Sequence, residues 1–174
     1  MKMELTRGLA LLIFLTLVIT ACSKKETTPP SPAETNGITL AGPTGSSKTW
    51  GINSFRQAQN GGSSQDVTSQ IDACFVDNTF TFTNNSTQDY ENDEGATKCN
   101  STDPSAIEKG SWAFTEDGKS LLIDGTAYSQ EYFLVALGKP LAISNLTATT
   151  FTATFSLTDT LNNTNVYTLG FAKK

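Results

Sequence analysis

Apolar and hydroxyl residues alternate with a period of two along much of the chain after Lys48. The clearest run is Thr79 to Thr83, and Ser111 to Thr115 repeats it. Phe151 to Thr158 alternates in the same way, and Val166 to Phe171 closes the pattern near the end of the chain. Because successive strand residues point to opposite faces of a sheet, these runs predict β-strands with one buried face.

Turn-forming residues separate the alternating runs at the spacing of β-hairpins. The turn signals are Asn84-Asn85, Glu116-Asp117-Gly118, Asp124-Gly125, Gly138-Lys139-Pro140 and Leu161-Asn162-Asn163. Two longer loops are expected, at Arg56–Gln70 and Asn92–Glu108. Short links favour an all-β, antiparallel, up-and-down β-barrel of about eight strands, because consecutive hairpins close without long crossovers. A β-sandwich is the alternative.

The residues assigned to the inner face of the barrel are bulky. They are Trp50, Ile52, Phe80, Phe82, Trp112, Phe114, Leu121, Ile123, Tyr132, Leu134, Phe151, Phe155, Leu157, Tyr167, Leu169 and Phe171. An eight-stranded barrel is just wide enough for its own side chains or for one small ligand. We therefore expect a largely filled interior, with any ligand bound at one end. A ligand cage built from Trp50, Trp112 and their aromatic neighbours is the alternative.

The N-terminus has the features of a secretory signal. Lys2 and Arg7 precede the apolar run Leu9–Ile19, which is too short to span the roughly 30 Å hydrocarbon core of a membrane. Small residues follow, and then Cys22. This end resembles the lipobox of bacterial lipoproteins, which implies that residues 1–21 form a signal peptide and that Cys22 becomes the lipidated mature N-terminus.

Residues 22–47 are predicted to form a flexible tether that carries the folded domain, residues 48–174. The segment after Cys22 is rich in proline and contains few large apolar side chains, so little of it can be buried. Ser23 is not an acidic residue of the kind that retains many lipoproteins at the inner membrane, which favours the outer membrane. Its periplasmic face and the cell surface both stay open.

Charge and composition exclude several function classes. Removal of residues 1–21 leaves 10 basic and 16 acidic side chains, so no basic face is expected for nucleic acid. The same balance disfavours direct contact of the domain with anionic lipids. The chain contains no histidine, which excludes histidine-dependent catalytic triads and the commonest metal ligand.

Two cysteines are left in the mature chain, Cys74 and Cys99. An exported protein meets an oxidising environment in which disulfides are stable, so we expect these two residues to pair. A metal site would need more ligands than two thiols. Free thiols are the other alternative.

Several short motifs occur in an order similar to that of a known family. Trp50 lies in the first strand, and Ala73-Cys74 is followed by Asp77-Asn78, by Lys98-Cys99 and by Gly110 to Phe114. In this the chain resembles the small lipocalin-like domains of Bacteroidota lipoproteins over roughly residues 48–172. The resemblance implies an up-and-down barrel of about eight strands and carries over no catalytic residue and no cofactor.

Candidate chemical sites are few. Asp89, Glu91, Asp93 and Glu94 superficially resemble a calcium loop, but their spacing fits a solvated strand end better. Glycoside hydrolysis needs two carboxyl groups about 5 to 9 Å apart. The glutamates that could form such a pair are Glu91, Glu108, Glu116 and Glu131. We expect no metal site, no cofactor and no enzymatic activity.

Asp159-Thr160-Leu161 resembles the O-glycosylation motif of Bacteroidota envelope proteins, which implies that Thr160 is the acceptor. A motif of this length in a threonine-rich chain also arises by chance.

Two functions are compatible with these features. The first is a lipid-anchored envelope protein whose lipocalin-like barrel binds a small or apolar ligand at its mouth. The second is a non-catalytic interaction or accessory lipoprotein that binds another envelope protein or a glycan. An inner cavity lined by aromatic residues would favour the first, whereas a filled barrel with an exposed apolar or loop-borne patch would favour the second.

Overall fold

The computed structural model describes residues 28–129 and 134–174. Its strands are β1 (Ser47–Gln59), β2 (Gln65–Asp66), β3 (Thr79–Thr83), β4 (Asp89–Asp93), β5 (Ala106–Phe114), β6 (Ser120–Ala127), β7 (Leu141–Ser144), β8 (Thr150–Thr158) and β9 (Thr164–Lys173). Its helices are α1 (Pro32–Ala41), the 3-10 helix η1 (Thr68–Gln70), α2 (Ala73–Val76) and α3 (Leu134–Leu137).

The strands form a closed antiparallel barrel of eight strands, which confirms the predicted lipocalin-like fold. Neighbours along the sheet follow the order of the chain, and β1 also pairs with β9 from Trp50 to Gln59. This last pairing closes the sheet and rules out the β-sandwich alternative. The short strand β2 is an addition outside the barrel, because it pairs only with Arg56 and Gln57 of β1.

A β-bulge in β1 changes which residues face the interior. The pairing with β9 shifts between Ile52 and Ser54, so that Asn53 is the extra residue. Ile52 lies opposite Phe171 before the bulge, and Phe55 lies opposite Leu169 after it. Since directly paired residues share a face, Ile52 and Phe55 both point inward although three positions separate them.

Aromatic side chains fill the centre of the barrel. Phe151 stacks on Phe171 with ring centroids 4.4 Å apart, and Trp50 meets Phe151 edge-on at 5.0 Å. Phe80 packs edge-on against Phe171 at 5.4 Å. The predicted inner-face residues in the described strands are buried or packed against this core, with Phe114, Leu157 and Tyr167 partly exposed. The expectation of a filled interior is thereby confirmed.

The structure differs from the predicted tether at residues 32–47, because α1 packs across one end of the barrel. Leu40 and Ala41 are completely or almost completely buried, and the Trp50 indole nitrogen donates a 3.0 Å hydrogen bond to the Leu40 carbonyl oxygen. Ser31 caps the helix by accepting a hydrogen bond from the Glu34 amide. The segment folds because the barrel end supplies an apolar surface that the isolated sequence lacks.

Three further expectations need correction. Leu134, which the alternation places with Tyr132 on the inner face of the sheet, lies instead in α3, where it is buried; Tyr132 is outside the described residues. The first predicted loop begins and ends later than expected, since β1 continues to Gln59 and the connection to β3, residues 60–78, contains β2, η1 and α2. The second loop spans residues 94–105 between β4 and β5.

Candidate functional site

The two ends of the barrel differ in how they are covered. The plugged end carries α1 and the turns at residues 84–88, 115–119 and 145–149. The loop end carries residues 60–78, 94–105 and 159–163 and the described residues of the β6–β7 connection, 128–129 and 134–140. Gly118 fixes α1 to the plugged end: its carbonyl oxygen accepts a 2.8 Å hydrogen bond from Asn36, and its φ of 70° suits a residue without a side chain.

An apolar cavity of about 300 Å³ opens at the loop end. Its volume is at the lower limit of typical small-ligand sites. Apolar side chains form most of the wall, and a carboxylate and two amides complete it. The lining residues are Ile52, Phe55, Val67, Ile71, Phe75, Phe80, Gln57, Gln70 and Asp72. This cavity is the candidate functional site.

One wall of the cavity is the segment 67–76, which folds back onto β1. The Val67 amide donates to the Phe55 carbonyl oxygen at 2.9 Å, and the Phe55 amide donates to the Thr68 hydroxyl oxygen at 2.8 Å. Asp66 Oδ1 accepts a hydrogen bond from the Thr68 amide, which starts the turn into η1. These contacts place Ile71 and Phe75 opposite the inner face of β1.

A disulfide joins the same wall to the neighbouring loop. Cys74 in α2 is bonded to Cys99, with Cα atoms 5.1 Å apart, which confirms the predicted pairing. The 94–105 loop is held further by the Thr97 amide, which donates to Asp77 Oδ2 at 2.8 Å. The wall that carries Phe75 is therefore fixed by covalent and polar links at the loop end.

Three stacked aromatic rings lie side by side on the neighbouring strands β1, β9 and β8. Phe55 stacks on Tyr167 with centroids 5.7 Å apart, and Tyr167 stacks on Phe155 at 5.3 Å. Next to these rings, the Gln57 side-chain amide donates to Asn165 Oδ1 at 3.0 Å. Phe55 and Gln57, which line the cavity, are therefore held in place by neighbours on the adjacent strand β9.

A buried polar cluster lies inside the barrel between β4, β5 and α3. Glu108 is fully buried, and its Oε2 accepts hydrogen bonds from the Tyr90 hydroxyl at 2.7 Å and from the Asn92 amide at 3.1 Å. Its Oε1 accepts from the Val135 amide at 3.0 Å, so the carboxylate holds α3 against the barrel. Burial, and then the negative charge of Glu108, raise the pKa of Tyr90 well above its usual value.

The outer surface of β3, β4 and β5 has a polar groove of about 570 Å³. Lys109 Nζ lies 2.9 Å from Glu91 Oε2 in it. Partial burial, and then the neighbouring Glu91 carboxylate, raise the pKa of Asp93 to about 6. We call this surface the outer groove; its lining residues are Thr81, Thr83, Asp89, Tyr90, Glu91, Asp93, Lys109 and Gly110.

Of the four acidic residues that superficially resembled a calcium loop, Glu91 and Asp93 lie together in the outer groove, whereas Asp89 and Glu94 have partners of their own. Asp89 accepts hydrogen bonds from Asn85 and Thr87, which lower its pKa. Glu94 Oε1 accepts from the Cys99 amide. Within residues 28–129 and 134–174, no group of three or more acidic or cysteine side chains is arranged to hold a metal ion.

The three candidate glycosidase carboxylates within the described residues do not face a common space. Glu91 points to the outer groove, Glu108 into the barrel, and Glu116 lies exposed in a turn at the plugged end. Glu131 is outside the described residues. Glu91 and Glu108 are separated by the sheet itself. Glu91 pairs with Lys109, the residue after Glu108, so the side chains of Glu91 and Glu108 lie on opposite faces of the sheet.

Thr160 lies exposed in the turn between β8 and β9, where a modifying enzyme has access to it. Asp159 forms this turn, because its Oδ1 accepts hydrogen bonds from the amides of Leu161 and Asn163. Glycosylation of Thr160 stays a prediction. Cys22, the expected lipidation site, is outside the described residues. In the part of the chain that the structure describes, no helix is both long and apolar enough to cross a membrane.

Sequence reasoning missed the cavity wall and the buried carboxylate. Ile107 and Glu108 are adjacent and both almost completely buried, so alternation could not identify the inward residue of the two. The helix α1 had a usable signal, since Ser31 and Glu34 have the spacing of a capping box and Gly42 follows the last turn.

No protein-family model matches the chain, and no curated protein is detectably similar to it.

Proposed function

We propose that the protein is a lipid-anchored envelope protein that binds a small, largely apolar ligand in the loop-end cavity. The observation that carries the proposal is the cavity itself, whose walls are formed mainly by Ile52, Phe55, Ile71 and Phe75. Burying apolar ligand surface there is favourable by about 25 cal/mol per Å². The disulfide between Cys74 and Cys99 limits movement of one wall, which lowers the cost of ordering the site on binding.

The position of α1 determines which end of the barrel a lipid on Cys22 would hold near a membrane. Nine positions separate Cys22 from Ser31, the N-cap of α1, so the chain between them spans at most roughly 30 Å. A lipid on Cys22 would hold the plugged end towards the bilayer. The loop end would then face away from the membrane and be accessible to a ligand.

Binding of the neutral apolar dye N-phenyl-naphthylamine tests the proposal. Ile71→Trp should fill the cavity and abolish the dye's fluorescence increase, because Ile71 lines it. The matched control is Val76→Trp, since Val76 is 38% exposed and lies outside the cavity lining. Equal dye binding by both variants, or none by the unmodified chain, would contradict the proposal.

The outer groove favours a second candidate, a surface module that binds another envelope protein or a glycan. Hydroxyl, carboxylate and ammonium groups line the groove, and such groups recognise sugar hydroxyls or polar peptide groups. Thr81→Arg would obstruct the groove, whereas Thr154→Arg would place the same side chain on distant β8. Glycan-array or envelope-protein binding that is lost only in the first variant would support this candidate.

A further inference from the structure

Acidic side chains outnumber basic side chains at the loop end. Among the described residues there, the acidic ones are Asp66, Asp72, Asp77, Glu94, Asp103 and Asp159, and the basic ones are Arg56, Lys98 and Lys139; Asp93 belongs with Glu91 and Lys109 to the outer groove. The plugged end is balanced, with Lys48, Lys119, Lys173 and Lys174 against Glu34, Asp89, Glu116 and Asp117. A cleft at the acidic end therefore has a potential that attracts cations.

Two of the three basic side chains at the loop end already face carboxylates. Arg56 Nη1 lies 3.9 Å from Asp66 Oδ2, and Lys98 Nζ lies 3.7 Å from Glu94 Oε2. The third, Lys139, donates to the Ser156 carbonyl oxygen at 3.4 Å. None of the three lines the cavity.

Asp72 is the charged residue in the cavity wall. It occupies the N-cap position of α2, but its side chain does not accept the capping hydrogen bond. Other carboxylates at this end are engaged in local structure: Asp77 Oδ2 accepts from the Thr97 amide, and Asp103 Oδ2 accepts from the Ser129 hydroxyl. Asp72 is exposed at the rim while the apolar wall lies below it.

We infer that the ligand of the loop-end cavity is an amphipathic cation, with an apolar body against Phe55 and Phe75 and an ammonium or amidinium group beside Asp72. This inference rests on the proposed function, because it names the chemical class of the molecule bound in the same cavity. In the cavity wall, the side-chain carbonyl oxygens of Gln57 and Gln70 supply further hydrogen-bond acceptors for the N–H groups of the ligand. A carboxylate ligand would instead meet a like charge at the rim.

Displacement of N-phenyl-naphthylamine by octylamine, octanol and octanoate tests the ligand class at constant chain length. The mature chain should bind octylamine most tightly and octanoate least tightly. Asp72→Asn should weaken octylamine binding about fivefold, to the level of octanol, and raised salt should have the same effect. Asp72→Lys should reverse the order in favour of octanoate.

Asp124→Asn is the matched control, because it removes the same charge from an exposed position on β6, away from the cavity. It should leave all three affinities unchanged. Equal binding of octylamine and octanol, or tighter binding of octanoate, would overturn the inference while the proposed apolar site stands. Failure of the dye and of all three octyl compounds to bind would overturn both.

Discussion

The Tyr90 hydroxyl donates a 2.7 Å hydrogen bond to the Glu108 carboxylate inside the barrel, and both side chains are almost completely buried. A buried carboxylate is tolerated only when hydrogen bonds replace its lost hydration. Glu108 obtains these bonds from two different elements, because Asn92 lies in β4 like Tyr90, and Val135 of α3 also donates to it. The residue therefore connects the sheet to the short helix beside the loop end.

Glu108→Ala should lower the free energy of unfolding by about 3 kcal/mol, because buried donors on Tyr90, Asn92 and Val135 lose their acceptor. Urea denaturation followed by tryptophan fluorescence measures this change. Glu116→Ala, at an exposed turn, should change the value by less than about 0.5 kcal/mol. Equal effects of the two substitutions would contradict the structural role given to Glu108.

Asp93 should destabilise the folded protein increasingly as the pH rises from about 3.8 to about 6. Its pKa is raised in the folded state, so the unfolded chain releases this proton at a lower pH than the folded chain does. Asp93→Asn should therefore gain thermal stability relative to the unmodified protein as the pH rises through this interval. Asp124→Asn is the control.

Thermal melts at a series of pH values measure this difference. A difference in melting temperature between Asp93→Asn and the unmodified protein that does not change with pH would show that the pKa of Asp93 is not raised. NMR titration of the Asp93 carboxyl group gives an independent value.

Loss of the disulfide should weaken both folding and ligand binding. Cys74→Ala opens a loop of 25 residues and should lower the free energy of unfolding by about 3.5 kcal/mol. Dye binding should weaken as well, because Phe75 is the next residue of the helix that the bond anchors. In the unmodified protein, alkylation without reductant should modify neither Cys74 nor Cys99; two reactive thiols would contradict the pairing.

Cys22→Ser should prevent lipid attachment and signal-peptide removal, since the hydroxyl of serine is a much weaker nucleophile than a thiolate. Metabolic labelling with radioactive palmitate should label the unmodified protein and not the variant. Cys74→Ala serves as a control, because loss of a domain cysteine should leave labelling intact. Continued labelling of Cys22→Ser would refute the lipoprotein assignment.

Local patterns in the sequence predicted the barrel because strand periodicity is a local property. Phe80 and Phe82 alternate with threonines, and both are buried as expected. The disulfide could also be predicted, since Cys74 and Cys99 are the two cysteines that follow Cys22 and offer one pair within the folded domain. Both features follow from residue types and spacings that are visible in the sequence before any tertiary contact is known.

The cavity could not be predicted because contacts between distant residues create it. Phe55 faces inward only because the bulge at Asn53 shifts the alternation, and Ile71 reaches the cavity only because Val67 and Thr68 bond to Phe55. The helix α1 depends likewise on burial of Leu40 over the barrel. In each case tertiary packing overrides a weak local signal.

The location of the bound ligand is the most direct test of the proposal that the loop-end cavity is the binding site. An NMR titration of the isotope-labelled chain, residues 22–174, with octylamine reports which backbone amides change environment. Binding in the loop-end cavity predicts saturable shifts at Val67, Ile71 and Phe75, and unchanged indole signals from Trp50 and Trp112. Shifts confined to the outer groove, or no saturable shifts, would contradict it.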